Sequence, residues 1–460
     1  MKSEGMTKLK TLEKVGYASG DLACNLIFAT VTSYLLFFYT EIFGLAPAAV
    51  AVMFLVVRIF DAVNDPIMGI VVDKTNTRYG RFRPYILFGA IPFAVIAILA
   101  FMTPDLSPMG RLVYAYVTYM GLSLAYTVVN IPYGALTPAM TNDGDEIVSL
   151  TSFRMFFANL GGLIIAFFVP FLSGIITEHT ESAARGWQYT ITIFAVLGAA
   201  LLIFCFKNTK ERIKPDVATK IHFKDIFEQF KVNRPLLVLS AIFILIFGVN
   251  SIAGSMSVFF VTFNMDRPDL VHWYMLANTL PAFVVLPLLP KLTKVLGRKG
   301  ILYWAIALSI VGILALYFAP VHNVPVVFIT RIVASMGTLL VGGYIWALIP
   351  ETIEYGYQKT GKRLNGLIYA VIGFFFKFGM AVGGIVPGLV LEHFGYVANQ
   401  AQTPRALQGI MIVYTIIPAI LLAVVMVVFK SYNVNDSQEI AVKTEKASNP
   451  ALSKMEKAQV

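Results

Sequence analysis

Apolar runs of about twenty residues recur from one end of this chain to the other, each long enough to cross a ~30 Å hydrocarbon layer as a helix. Nothing else narrows the fold as much. Inside a bilayer every backbone N–H and C=O must find its partner within the chain, and runs of this length do so as helices. Twelve spans are drawn, at 15–41, 46–73, 84–103, 110–140, 149–177, 187–207, 235–263, 269–290, 299–319, 324–350, 364–391 and 405–429. Composition agrees: 57% of residues are hydrophobic, only 13% are charged, and mean hydropathy is +0.73. A soluble domain carries roughly 25% charged residues. The predicted fold class is therefore an all-α membrane protein. The basic start (Lys2, Lys8, Lys10, Lys14) leads into a long helix holding Asp21 and Asn25, which reads as a retained span and not a cleaved signal.

Charge sets the predicted orientation. Twenty-eight of the 36 Lys and Arg fall on segments that share one side of the membrane, and four fall on the other. The remaining four, Arg58, Arg154, Arg331 and Lys377, lie within spans. A seven-to-one bias puts both termini in the cytoplasm, and it accounts for the net charge of +10 without a nucleic-acid partner. The longest internal hydrophilic segment then divides the chain into an N-tail (1–14), a six-helix half (15–207), a connector (208–234), a second six-helix half (235–429) and a polar C-tail (430–460). The connector holds K-D-I-F-E-Q-F-K, a candidate amphipathic surface helix. A weak repeat supports the halving, because the basic turn G-R-F-R-P after span two (from Gly80) has a counterpart in G-R-K-G after span eight (from Gly297). Two six-helix halves with a cytoplasmic connector is the layout of the major facilitator fold, whose substrate site lies near the midplane between the halves.

The chemistry concentrates in span two. Asp61 and Asp65 stand four apart on one helix face, with Arg58 one turn before Asp61. An ionised carboxylate at membrane depth costs at least about 2.5–3.5 kcal/mol. One arginine neutralises only one of the two acids, so the other needs a bound Na+, a proton or a second base. The pair reads as a cation site, with Asn64 and Thr127 as further oxygen ligands, and the alternative is a structural ion pair with a spare carboxylate. Lys377 lies too deep in span eleven to snorkel to water; it either lines the solute site or bridges to the acids of span two. Arg154 near the cytoplasmic start of span five is a candidate solute ligand, with a positive-inside residue as the plainer account. Asp21 and Asn25 on one face of span one and Asn130 in span four suit hydrogen bonds to hydroxyls, with interhelical hydrogen bonding as the plainer account. Trp346 and Tyr369 can stack on a sugar ring. Asp73, Arg78, Gly80 and Arg81 form a candidate cytoplasmic gate, with Gly80 and Gly297 permitting tight turns. No zinc-protease, phosphate-loop or nucleophile-elbow motif is present, so neither an enzyme nor an ATP-driven pump is indicated. The five histidines form no ligand cluster, and the two cysteines, Cys24 and Cys205, both sit in spans.

Several stretches carry a family likeness: Y-x-x-G-D from Tyr17, F-F-Y-T-E ending at Glu41, R-I-F-D-A-V-N-D-P-I-M-G from Arg58, R-Y-G-R-F-R-P from Arg78, Y-T-V-V-N-I-P-Y-G-A-L from Tyr126, and I-E-Y-G from Ile353. Through them the chain resembles the glycoside–pentoside–hexuronide:cation symporters of the major facilitator superfamily, across essentially all twelve spans. The resemblance implies that Asp61 and Asp65 bind the coupling cation and that Arg154 and Lys377 line the sugar site. The chain departs from the melibiose-carrier pattern, with Asn25 and Asn130 where that subgroup has aspartates and Gly134 where it has a tryptophan. It looks closer to the glucuronide carriers. Replacing two pocket carboxylates by amides leaves Arg154 and Lys377 less neutralised, which favours an anionic sugar such as a hexuronide.

The resulting expectation is a monomeric secondary transporter of the bacterial inner membrane. It imports a sugar or glycoside by symport with H+ or Na+ and uses no cofactor beyond that ion. Its partners are the solute and the bilayer. The alternatives are a neutral pentoside or galactoside carrier, a sugar sensor that binds without accumulating, a channel, and within transport an exchanger or uniporter.

Overall fold

The computed structural model describes residues 8–141, 143–213, 223–361, 364–398 and 400–432, and among them the side chain of Asp73 is not described. Among the described residues twelve helices are long and apolar enough to cross a membrane: α1 (Thr11–Ile42), α2 (Pro47–Val72), α3 (Arg83–Ala100), α4 (Pro108–Ala135), α5 (Ser149–Thr180), α6 (Ala183–Asn208), α7 (Arg234–Asn264), α8 (Pro268–Leu289), α9 (Lys299–Phe318), α10 (Val324–Thr360), α11 (Leu367–His393) and α12 (Pro404–Lys430). Proline in the first turn starts α2, α3, α4, α8 and α12 where its missing N–H costs nothing. Side-chain oxygens of Ser107, Ser182, Asn233, Asn323 and Thr403 accept first-turn N–H groups of five helices.

The observed spans follow the hydropathy, and one overshoots it. α10 turns at Leu348 and continues as a polar helix, Ile349–Thr360, because Pro350 suits a new first turn. Gly361, at φ 67°, ends it in the left-handed region. The connector helix, Phe223–Val232, does not lie free on the surface. Its Gln229 donates to the Thr360 hydroxyl (3.3 Å), and the adjoining Asn233 donates to the Thr352 carbonyl (3.0 Å), tying it to the polar end of α10.

The first helices of the two halves carry a second repeat. F-F-Y-T (37–40) and F-F-V-T (259–262) sit where α1 and α7 each widen into a π turn, Phe38–Ile42 and Phe260–Asn264. The basic turns also match, since Gly80 (φ 108°) and Gly297 (φ 74°) both adopt backbone angles that favour glycine. The turn at Gly80 is built on Glu211, whose carboxylate accepts the N–H groups of Arg81 (2.8 Å), Phe82 (2.8 Å) and Arg83 (3.0 Å) at the start of α3.

Several described contacts between the halves lie at the end of the bundle away from the basic turns. Tyr396 donates to Glu41, the Ala48 N–H donates to Glu392 (3.1 Å), and the rings of Phe37 and Phe259 meet 5.3 Å apart. Gly388 of α11 packs on the Pro47 carbonyl of α2 so closely that an added Cβ would lie 2.6 Å from that oxygen.

Candidate functional site

Between the halves lies a cavity of about 350 Å³. α1 turns Asp21, Asn25 and Phe28 into it, and α2 contributes Arg58 and Asp61. α4 supplies Ser123, Tyr126, Thr127 and Asn130, and Arg154, Trp346 and Lys377 enter from α5, α10 and α11. A four-residue spacing lets one helix face present Asp21 with Asn25, as read from the sequence, and another present Ser123 with Thr127.

The acids of α2 form a two-rung ladder. On the first rung Arg58 donates to one oxygen of Asp61 (3.1 Å), and the Ser123 hydroxyl donates to the other. On the second rung the Thr127 hydroxyl donates to one oxygen of Asp65 (2.9 Å), and the Lys377 ammonium donates to the other. Asp65–Lys377 therefore joins the two halves of the molecule. At the third charged pair, Arg154 donates to Asp21 (3.0 Å) and lies 5.3 Å above the Tyr133 ring.

This arrangement corrects the charge argument made from sequence. No surplus of negative charge remains on α2, because Lys377 is the second base that Asp65 requires. Nor are Arg154 and Lys377 left bare by Asn25 and Asn130, because Asp21 and Asp65 neutralise them. The sequence reading missed Ser123, whose signal was its place four residues before Thr127. Asn64 is not drawn into the ladder. One step along α2 turns it about 100° from Asp65, and its amide nitrogen is buried without a partner.

Of the two candidate stacking rings, Trp346 lines the cavity and meets Phe243 edge-on at 5.0 Å. Tyr369 does not line it. It sits eight residues before Lys377, about 12 Å along α11, and is 48% exposed. At the candidate gate, Arg78 donates to the Tyr79 hydroxyl (2.6 Å), while Gly80 and the Arg81 backbone pack on Glu211, a partner the sequence did not indicate. The side chain of Asp73, the acid of the candidate gate, lies outside the described side chains.

Comparison with known proteins agrees with this architecture. The model of the family described as MFS/sugar transport protein matches residues 16–436. The uncharacterized symporter YnaJ of Bacillus subtilis is 59% identical over 95% of this chain and 95% of its own. The isoprimeverose transporter of Lactiplantibacillus pentosus is 37% identical, covering 89% of this chain and 85% of its own. The glucuronide carrier protein homolog of Escherichia coli is 35% identical, covering 93% and 94%. With twelve spans, two halves and a charged cavity between them, the chain belongs to the MFS/sugar transport family as a glycoside–pentoside–hexuronide:cation symporter, a multi-pass membrane transporter and not an enzyme.

Proposed function

We propose that this symporter imports a glycoside through the cavity between its halves, and that the coupling cation, Na+ or H+, competes with Lys377 for Asp65. The observation that carries the reading is the Asp65–Lys377 pair, which joins α2 of one half to α11 of the other beside the cavity. A cation on Asp65 takes the place of the ammonium and releases Lys377 toward the solute. Asp61 holds the neighbouring Arg58 through the same exchange. Sugar and cation then raise each other's affinity by one shared factor, as linkage requires. Once both are bound, the halves are free to rock about the cavity.

The relatives named for isoprimeverose and for glucuronide support a glycoside as solute. Arg154 paired with Asp21, the amides of Asn25 and Asn130, and the Trp346 ring supply the hydrogen bonds and the stacking face a sugar ring uses. The bias of Lys and Arg supports a topology with both termini in the cytoplasm of a bacterial inner membrane. One chain suffices, because its own two halves complete the site.

Uptake into proteoliposomes under an imposed Na+ or pH gradient tests the reading, with labelled methyl glycosides as solutes. The intact protein accumulates solute against its gradient. Asp65→Asn loses accumulation while still exchanging internal for external solute. Undiminished accumulation by Asp65→Asn overturns the assignment of the cation to this acid.

A further inference from the structure

Four basic side chains sit at membrane depth, and three of them hold an acid: Arg58 with Asp61, Arg154 with Asp21, and Lys377 with Asp65. The fourth, Arg331 of α10, is 95% buried, and among the described residues its guanidinium meets no carboxylate. Its Nη2 donates to the Asn278 side chain, its face lies 5.3 Å over the Tyr414 ring, and its Nε is buried without any acceptor. A buried guanidinium left short of acceptors is costly to keep.

Arg331 lines a second cavity, of about 300 Å³. Apart from Arg331 its lining is uncharged: Phe28, Ala253 and Leu339 give it apolar wall, and Asn25 of α1, Asn278 of α8 and Ser335 of α10 are among its polar groups. Arg331 and Ser335 are one helical turn apart, so both face the same space. The two cavities share Asn25 and Phe28 of α1, which places them side by side along that helix. One is electrically balanced, and the other carries a single positive charge.

We propose that the second cavity is an anion subsite, in which Arg331 takes the carboxylate of an acidic glycoside whose other part occupies the first cavity. A planar guanidinium is suited to a carboxylate, and the asparagine and serine side chains around it can bind the remaining oxygens. The subsite deepens the glycoside reading above and rests on it for the identity of the solute. It also moves the preference for an acidic sugar from Arg154 and Lys377, which are paired, to Arg331.

Binding to the full chain in lipid nanodiscs tests the subsite, with methyl β-D-glucuronide and methyl β-D-glucoside as a matched pair and acetate as a sugar-free carboxylate. A charge-assisted pair of this kind makes the glucuronide bind about 10- to 100-fold more tightly than the glucoside. Arg331→Gln abolishes that preference and leaves glucoside binding unchanged, and Arg331→Lys keeps part of it. Ser335→Asp, which retains the arginine but supplies a carboxylate one turn away, also abolishes it and guards against misfolding as the cause. Acetate competes with the glucuronide, not with the glucoside, and loses this effect in Arg331→Gln. A preference for glucuronide that survives both Arg331→Gln and Ser335→Asp overturns the subsite, as does equal loss of both glycosides. If neither glycoside binds, the sugar reading fails, and acetate binding in intact and Arg331→Gln protein still decides whether the anion site exists.

Discussion

Replacing Lys377 by methionine should tighten cation binding. Two unit charges about 4 Å apart attract by about 4 kcal/mol at an effective dielectric near 20. The side chains of Lys377 and Asp65 are 35% and 21% exposed, so water reaches the pair and screens it. A net competition of about 1–3 kcal/mol remains after that discount, equivalent to about 5- to 150-fold in the apparent dissociation constant of the coupling ion. Methionine keeps the length of the stem and removes the competing ammonium. Tryptophan fluorescence provides the assay, because Trp346 lines the cavity beside Lys377. Titrations of Na+ at fixed pH, and of H+ without Na+, should show half-saturation at least fivefold lower for whichever ion couples, together with weaker sugar binding. An unchanged or raised half-saturation for both ions would refute the competition.

The Arg58–Asp61 rung is drier, with side-chain exposures of 18% and 7%, so Asp61→Asn leaves a buried guanidinium unpaired. It should cost about 3–5 kcal/mol, lower the melting temperature more than Asp65→Asn does, and be partly rescued by adding Arg58→Met. Glu211→Ala removes the acceptor for three N–H groups at the start of α3; it should cost about 1–2 kcal/mol and speed hydrogen exchange at 81–83. Trp346→Ala should weaken glycoside binding by about 1–2 kcal/mol if the ring stacks on the sugar, while Tyr369→Ala leaves the affinity within about twofold; binding calorimetry compares them.

The sequence made the fold legible because a bilayer permits few solutions. Apolar length gave the spans, and the four-residue spacing put Asp61 and Asp65 on one face before any coordinates. Partners across the bundle were not legible in the same way. Asp21 and Arg154 are 133 residues apart, and Asp65 and Lys377 are 312 apart, so their pairing depends on how helices are arranged and not on any local pattern. Depth along span eleven keeps Lys377 from the membrane surface, as the sequence indicates, but the cavity brings water to it; the bridge to span two is one of the two readings its position allows. Arg331 was visible as an intramembrane base, but its lack of an acid partner is a property of the packed structure. The expectation for Tyr369 failed for a related reason, since membership of span eleven fixes neither depth nor exposure. Glu211 sits in a polar stretch that hydropathy treats only as the beginning of the connector. The F-F-Y-T and F-F-V-T repeat was readable, and it would have aligned the two halves more firmly than the glycine turns did.

Coupling through Asp65 is tested most directly by following the ion itself. Protein is reconstituted without any imposed gradient, and a transported glycoside is added outside while ²²Na+ entry and external pH are recorded. The account predicts that solute addition drives entry of one of the two ions, in fixed proportion to sugar uptake, and that Asp65→Asn silences this flux. Sugar entry with neither Na+ nor H+ following it, or ion entry undiminished in Asp65→Asn, would contradict the account.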